Sequence, residues 1–325
     1  MLRVHLFREY SPTFMEEFNK MLDRDIKISS GRTIPNPPNY EVLVYPTPSK
    51  DWLEASPDLR IIVIPWAGVP QHTRNLVKTY PHIDLHNLHH NRYNTAEFGF
   101  TLLLAAAKNL IPMDQSLRND DWTPRYKTTH AISLHGKRVL ILGYGEIGQA
   151  LSLYCLGFGM KVLAIRRAPE KNTQNPEVQI FSPNHLHTLL PKAEILMIAL
   201  PLTEETEDLI GKNEIQLMPE GSILINIGRG PIVNQFAFYD ALQSGHLRAA
   251  GSDVWYNYPK SENTRASTPP ADVPFKDLDN FVLSPHRGGM VEEVEEQRAK
   301  ALATLLNAAN RGLPVPNKVN LELGY

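Results

Sequence analysis

The sequence predicts an α/β protein made of two doubly wound parallel sheets, and three observations predict it. Short apolar runs alternate with polar helical stretches along nearly the whole chain. At 325 residues the chain is long for one domain and comfortable for two, each with its own core. Finally, Val139-Leu140-Ile141-Leu142-Gly143-Tyr144-Gly145-Glu146-Ile147-Gly148-Gln149-Ala150 is an apolar strand running into a glycine turn and then a helix.

Taken in order, the first ninety residues give apolar runs at Leu2 to Phe7, Tyr40 to Tyr45, Leu59 to Ile64 and Ile83 to Leu88, with a helix over Thr13 to Leu22. That rhythm belongs to a small parallel α/β domain. The run ending at Ile64 leads into Pro65-Trp66-Ala67-Gly68-Val69-Pro70, a loop at the carboxyl end of a strand, where such sheets bind ligands. Its backbone N–H groups could hold an anion, or it could be a turn punctuated by Gly and Pro. His86, His89 and His90 invite a metal, but no helical HxxxH or carboxylate pair accompanies them, and no metal is expected. Asn94 with Glu97 resembles a capping box, and Thr95 to Leu110 reads as a buried helix stopped by Pro112.

From Gly136 a second rhythm begins: the strand and glycine turn, a helix to Phe158, strand Lys161 to Ile165, a helix near Pro183 to Leu190 and strand Ile195 to Ala199. A helix at Asn213 to Leu217 precedes strands Ser222 to Ile227 and Ala249 to Ser252. Tyr256 to Pro274 is a long loop, strand Phe281 to Leu283 leads into Ser284-Pro285-His286-Arg287-Gly288-Gly289, and Val291 to Asn310 is a last helix. Repeated βα units with right-handed crossovers give a doubly wound sheet. If the last helix packs back on the first lobe, that lobe is discontinuous: residues 1–92 with 291–325, around a second domain at 93–290.

The glycine turn is a dinucleotide grip. Gly143 allows the tight turn, Gly145 lets backbone approach a pyrophosphate, and Gly148 lets the helix pack close to its strand. An NAD-type cofactor wants an acid about twenty residues past the last glycine, for the ribose hydroxyls. Arg166, followed by Arg167, stands there instead. Guanidinium groups fork a 2′-phosphate, so NADP is favoured over NAD, against the plain reading of two solvated arginines.

Composition narrows the partners. The 33 Lys+Arg against 35 Asp+Glu, a formal net charge of −2, favour neither nucleic acid nor an anionic membrane, which leaves a small molecule. Cys155 is the only cysteine, and its apolar neighbours read as core in a reducing compartment. Met1 to Glu9 meets charge too early for a signal peptide, and the longest apolar run, Phe98 to Ala107, is too short to span a bilayer. A soluble, cytoplasmic protein is expected.

Pro201-Leu202-Thr203-Glu204-Glu205-Thr206, Ile225-Asn226-Ile227-Gly228-Arg229-Gly230 and Ser284-Pro285-His286-Arg287-Gly288-Gly289, in this order after the glycine turn, resemble the D-isomer-specific 2-hydroxyacid dehydrogenase family from about Asn91 to Gly289. The resemblance implies two Rossmann-like domains, the first flavodoxin-like and substrate-binding, and a homodimer. It implies that Arg229 binds the substrate carboxylate and polarises the 2-carbonyl, and that His286 is the acid/base. Asp253 matches the aspartate that contacts the nicotinamide carboxamide, and Glu146 and Ile147 match the pair whose backbone meets the pyrophosphate. Thr206, Ile227 and Gly288 fall at cofactor-contacting positions, and Ala67, Gly68 and Asn91 at substrate-facing ones. The chemistry stands without the family: a 2-keto acid needs a cation for its carboxylate, and the alkoxide formed by hydride needs a donor titrating near neutrality.

One departure stands out. Where the family has a glutamate beside the histidine, this chain has Tyr258, in Asp253-Val254-Trp255-Tyr256-Asn257-Tyr258-Pro259. A phenol orients an imidazole but cannot hold it charged, so His286 should titrate low. Arg287 should lower it further, and Glu262 is a possible substitute carboxylate. The reading reached is an NAD(P)-dependent oxidoreductase, NADPH-preferring, reducing a small 2-keto acid of the glyoxylate or hydroxypyruvate kind to the D-2-hydroxy acid. Two rivals remain: a catalytically weakened nucleotide-sensing protein, and formate-like oxidation needing no acid/base proton.

Overall fold

The computed structural model describes residues 1–127, 131–169 and 175–324. The chain divides into two compact units, Met1–Asn91 with Met290–Tyr325, and Arg92–Gly289.

In the first unit, strands β1 (Leu2–Leu6), β2 (Ile26–Ser30), β3 (Val42–Val44), β4 (Ile61–Ile64) and β5 (Asp84–Asn87) form one parallel sheet in the order β2-β1-β3-β4-β5. That is the flavodoxin-like doubly wound order, with its switch point between β1 and β3. Both faces are covered. Phe14 and Phe18, from the helix Pro12–Met21, pack on one side with Leu302, Leu305 and Leu306 of the last helix, Val294–Asn310. Trp52, Leu53 and Val77, from the helices Lys50–Ala55 and Gln71–Val77, pack on the other. Burial on both faces is why β3 and β4 read as unbroken apolar runs.

The second unit carries β6 (Arg138–Leu142), β7 (Lys161–Ile165), β8 (Val178–Phe181), β9 (Ile195–Ile198), β10 (Ser222–Asn226), β11 (Leu247–Ser252) and β12 (Phe281–Leu283). All pair in parallel, in the order β12-β11-β10-β9-β6-β7-β8. The order reverses between β6 and β9, so the glycine turn after β6 lies at the switch point where such sheets bind ligands. One face packs against the helices Arg92–Lys108 and Glu146–Gly157, with Cys155 inside, its thiol pushed up to about 12 by burial. The other packs against the helix Gln235–Gln243 and an aromatic cluster of Phe238, Trp255, Phe275 and Phe281.

The structure corrects several sequence expectations. The helix expected at Thr95 begins at Arg92 and ends at Lys108, because Asn109 turns left-handed (φ 54). A second helix then starts at Leu110, and Pro112 lies in its first turn. There a missing N–H costs nothing, since those donors have no helical partner, so the proline does not end the helix before it. The last helix starts at Val294 rather than Val291. Among the described residues no helix is long and apolar enough to cross a membrane.

Candidate active site

The site is built on loops at the carboxyl ends of adjacent strands of the second unit. After β10, Asn226 turns back on its own loop: its Oδ1 accepts from Gly228 N at 3.0 Å and its Nδ2 donates to the Arg229 carbonyl at 2.9 Å. These two bonds set the backbone that presents Arg229. The guanidinium donates to Gly228 O at 2.6 Å, and burial makes its charge less comfortable than in water.

After β11 comes Asp253, 3% exposed. Its Oδ1 accepts from Ser284 Oγ at 2.6 Å and from Arg287 N at 2.7 Å, while Oδ2 accepts from Gly288 N at 2.8 Å. The carboxylate therefore clamps the loop after β12. A Cβ on Gly288 would stand 2.9 Å from Oδ2, so the clamp needs a glycine there. Trp255 adds a second tie, its Nε1 donating to Ser284 O at 2.7 Å. Between these fixed points His286 is held in the left-handed region (φ 59), a conformation that costs a non-glycine residue about 1 kcal/mol and persists only where its surroundings enforce it.

The long loop after β11 is folded back, Tyr256 and Asn257 donating their N–H groups to Pro270 O. It delivers Tyr258, whose phenol oxygen accepts from Trp255 N at 3.1 Å and lies 2.9 Å from His286 Nδ1. His286 is exposed as a residue, yet its imidazole is partly desolvated by its neighbours. That desolvation, and next the Arg229 charge, lower its pKa, while Asp253 opposes the shift. The sequence assigned the repulsion to Arg287, which follows His286 in the chain; the cation acting on the ring is Arg229, from another strand. Glu262 does not serve as substitute carboxylate: its Oε1 pairs with Arg265 at 2.9 Å, and Tyr258 meets the histidine.

The glycine turn has the shape a dinucleotide requires. Gly143 has φ 98, and a Cβ there would lie 2.7 Å from Ala199 O. A Cβ on Gly148 would lie 2.0 Å from Gly143 O, so turn and helix fit only without side chains. At Gly145 nothing lies within 4 Å of the Cβ position. An open space over the first turn of the helix Glu146–Gly157 suits a pyrophosphate. Ile147 lies in that turn, and the Glu146 carboxylate accepts from Arg92, a cation overlooked in the sequence.

The other expected contacts are placed as follows. Arg166 directly follows β7, and the Arg167 guanidinium meets Glu205. Thr206 Oγ1 accepts from Thr203 N at 2.8 Å and donates to Pro201 O at 2.7 Å, so it shapes its own loop. The Ile227 side chain is buried, in the space a Cβ on Gly99 would need. Ala67, Gly68 and Asn91 belong to the first unit, where Ala67 O accepts from Asn87 Nδ2 at 2.6 Å and Asn91 Oδ1 is buried without a hydrogen-bond partner among the described residues. His86 Nδ1 meets Pro316 O at 2.8 Å, and burial, helped by Arg298, pushes His90 down to about 4. No three His, Cys, Asp or Glu side chains converge as a metal site among the described residues.

Residues 100–288 match the family model described as D-isomer specific 2-hydroxyacid dehydrogenase, NAD binding domain. The chain belongs to the D-isomer specific 2-hydroxyacid dehydrogenase family. Its second unit carries that family's NAD-binding domain. The chain is 34% identical over 234 residues to a glyoxylate reductase from Thermococcus gammatolerans, covering 70% of this chain and 66% of the relative. With a D-3-phosphoglycerate dehydrogenase from Archaeoglobus fulgidus it shares 30% identity over 287 residues, 87% of this chain and 52% of that one. It thus spans between half and two thirds of these relatives' length. Its fold matches a D-isomer specific 2-hydroxyacid dehydrogenase from Xanthobacter autotrophicus in complex with NADPH (TM-score 0.80, 23% identity, 100% and 99% of the two chains). It also matches an NADPH-dependent glyoxylate/hydroxypyruvate reductase from Sinorhizobium meliloti in complex with NADP (TM-score 0.78, 19% identity, 100% of both).

Proposed function

We propose that this family member is an NADPH-preferring oxidoreductase that reduces a small 2-keto acid, of the glyoxylate or hydroxypyruvate kind, to the D-2-hydroxy acid. The observation that carries the reading is the joint presentation of Arg229 and His286 by the loops after β10 and β12, on either side of β11, with the guanidinium charge acting on the imidazole. A 2-keto acid needs both groups: a fork for its carboxylate and carbonyl, and a proton for the oxygen that becomes an alkoxide. A bound reduced nicotinamide supplies the hydride. The chain's own residues do the rest. Gly143, Gly145 and Gly148 leave room for the pyrophosphate, Asp253 holds the histidine loop, and Arg166, directly after β7, is assigned to the 2′-phosphate. Similar proteins, a glyoxylate reductase and a reductase in complex with NADP among them, support the same reading.

The substrate's other contacts are assigned to Ala67, Gly68 and Asn91 of the first unit, on the resemblance alone. A homodimer is part of the proposal, supported by exposed apolar side chains in one stretch: Leu110, Ile111, Leu117, Trp122 and Tyr126. The test is purified protein with NADPH or NADH and a panel of glyoxylate, hydroxypyruvate and pyruvate. Oxidation of NADPH, faster than of NADH, is expected. No oxidation with any acid, in protein that still binds the nucleotide, contradicts the reading.

A further inference from the structure

The phenol of Tyr258 meets two groups, and the bonds it makes to them differ in kind. Trp255 offers a backbone N–H, which can only donate, so the phenol oxygen is an acceptor at 3.1 Å. His286 Nδ1, at 2.9 Å, is then the natural acceptor of the single phenol hydrogen. An imidazole accepting at Nδ1 is neutral and carries its proton on Nε2. The charged groups acting on the ring favour neutrality on balance: the Arg229 cation disfavours imidazolium and outweighs Asp253, which favours it but is committed to three loop donors.

We propose that Tyr258 is a proton relay behind His286: the phenol fixes the neutral Nε2–H imidazole and passes its own proton to Nδ1 as Nε2–H protonates the substrate alkoxide. This rests on the reductase reading above. The step balances. Hydride from the reduced nicotinamide adds to C2 and the carbonyl π pair becomes the alkoxide. The Nε2–H bond breaks as the O–H of the alcohol forms, and the phenol O–H breaks as Nδ1–H forms. The products are the alcohol, the oxidised, cationic nicotinamide, a neutral imidazole and a tyrosinate that still accepts from Trp255 N and faces the Arg229 charge. Trp255 N and Arg229 both favour the phenolate, although burial, with a smaller contribution from Asp253, raises the Tyr258 pKa overall. To reset, Nε2 takes a proton from solvent and Nδ1 returns its proton to the tyrosinate; Tyr258 is 44% exposed, and His286 is exposed as well. Tyr258 does not touch the reacting atoms, so it is a positioning residue that also stores the proton.

The experiment compares pH profiles of kcat/KM for keto acid reduction in the wild type and Tyr258→Phe. Without the relay the only proton source is imidazolium. The variant should therefore fall about tenfold per pH unit above its histidine pKa, which lies below the ordinary ~6.5. The wild type should stay level from neutral pH to beyond pH ~9, until the phenol ionises. Parallel profiles, or a uniform loss at every pH, would overturn the relay. A second measurement needs no turnover: ¹⁵N NMR of histidine-labelled protein at pH ~8 should show His286 with Nε2 protonated and Nδ1 bare, and mixed tautomers in Tyr258→Phe. A dominant Nδ1–H form in the wild type overturns the relay even if the protein reduces keto acids. A wild type inactive at every pH, with the expected tautomer present, refutes the reductase reading instead.

Discussion

Asp253 illustrates how a single side chain couples stability to chemistry. Removing its carboxylate leaves Ser284 Oγ, Arg287 N and Gly288 N without their acceptor, two of them backbone donors beside a left-handed histidine. Each orphaned buried donor costs about 1–3 kcal/mol. Asp253→Ala is therefore expected to lower the unfolding free energy by about 3 kcal/mol or more, read as an earlier urea midpoint at constant slope. An unshifted midpoint would mean that water replaces the carboxylate. Asp253→Asn asks a narrower question. Asp253 supports the charged form of His286, so losing its charge should lower the histidine pKa further, measured by NMR titration. The sequence showed which residue types were present but not what they face. Arg287 follows His286, yet the backbone turns left-handed between them and the effective cation comes from the loop after β10. Tyr258 was legible because it breaks a motif at a countable position. The clamp was not, because nothing in the spacing of Asp253 and Ser284 reveals a hydrogen bond across 31 positions.

For the helix Glu146–Gly157 and the turn before it, two glycines of one motif should behave differently. Gly148→Ala drives a Cβ to 2.0 Å from Gly143 O, a clash with backbone that cannot move without opening the turn. It should destabilise the second unit by several kcal/mol, about 3 or more, and lower the thermal midpoint. Gly145→Ala meets nothing within 4 Å, so the midpoint should hold while NADPH affinity, by titration, falls about tenfold or more as the methyl enters the phosphate space. Equal effects of the two on stability would contradict this division. The central strands, buried on both faces, were legible, and two end strands were missed. β2, with burial confined to Ile26, and β8, whose Gln179 is exposed, each stand at one end of a sheet; β5 and β12, at the other ends, were read. An edge strand pairs on one side only, so its sequence is diluted by polar residues and loses the apolar run that marks a central strand. Pro112 misled for a related reason: the rule that proline ends a helix holds for interiors, and this one sits in a first turn.

Across the molecule, two units with separate cores make distinct predictions about ligand binding. A nucleotide that binds the second unit at ~100 times its Kd stabilises it by about 2.7 kcal/mol. Hydrogen exchange should then slow in the β6 to β9 amides of Arg92–Gly289, with β1 and β3 of the first unit unaffected by nucleotide alone. Equal protection of both sheets would place the nucleotide differently. The doubly wound parallel class was legible from βα periodicity and the glycine turn, whereas the strand order of each sheet was not. The close fit of Asp253, Trp255 and Tyr258 around the histidine loop was not, because it depends on loops that follow two different strands, β11 and β12. The central claim, that Arg229 acts with His286 on a 2-keto acid, is tested most directly by kcat/KM for keto acid reduction in Arg229→Ala. The predicted result is a loss of about 10³-fold or more with NADPH affinity nearly unchanged; a kcat/KM equal to that of the wild type would contradict the claim.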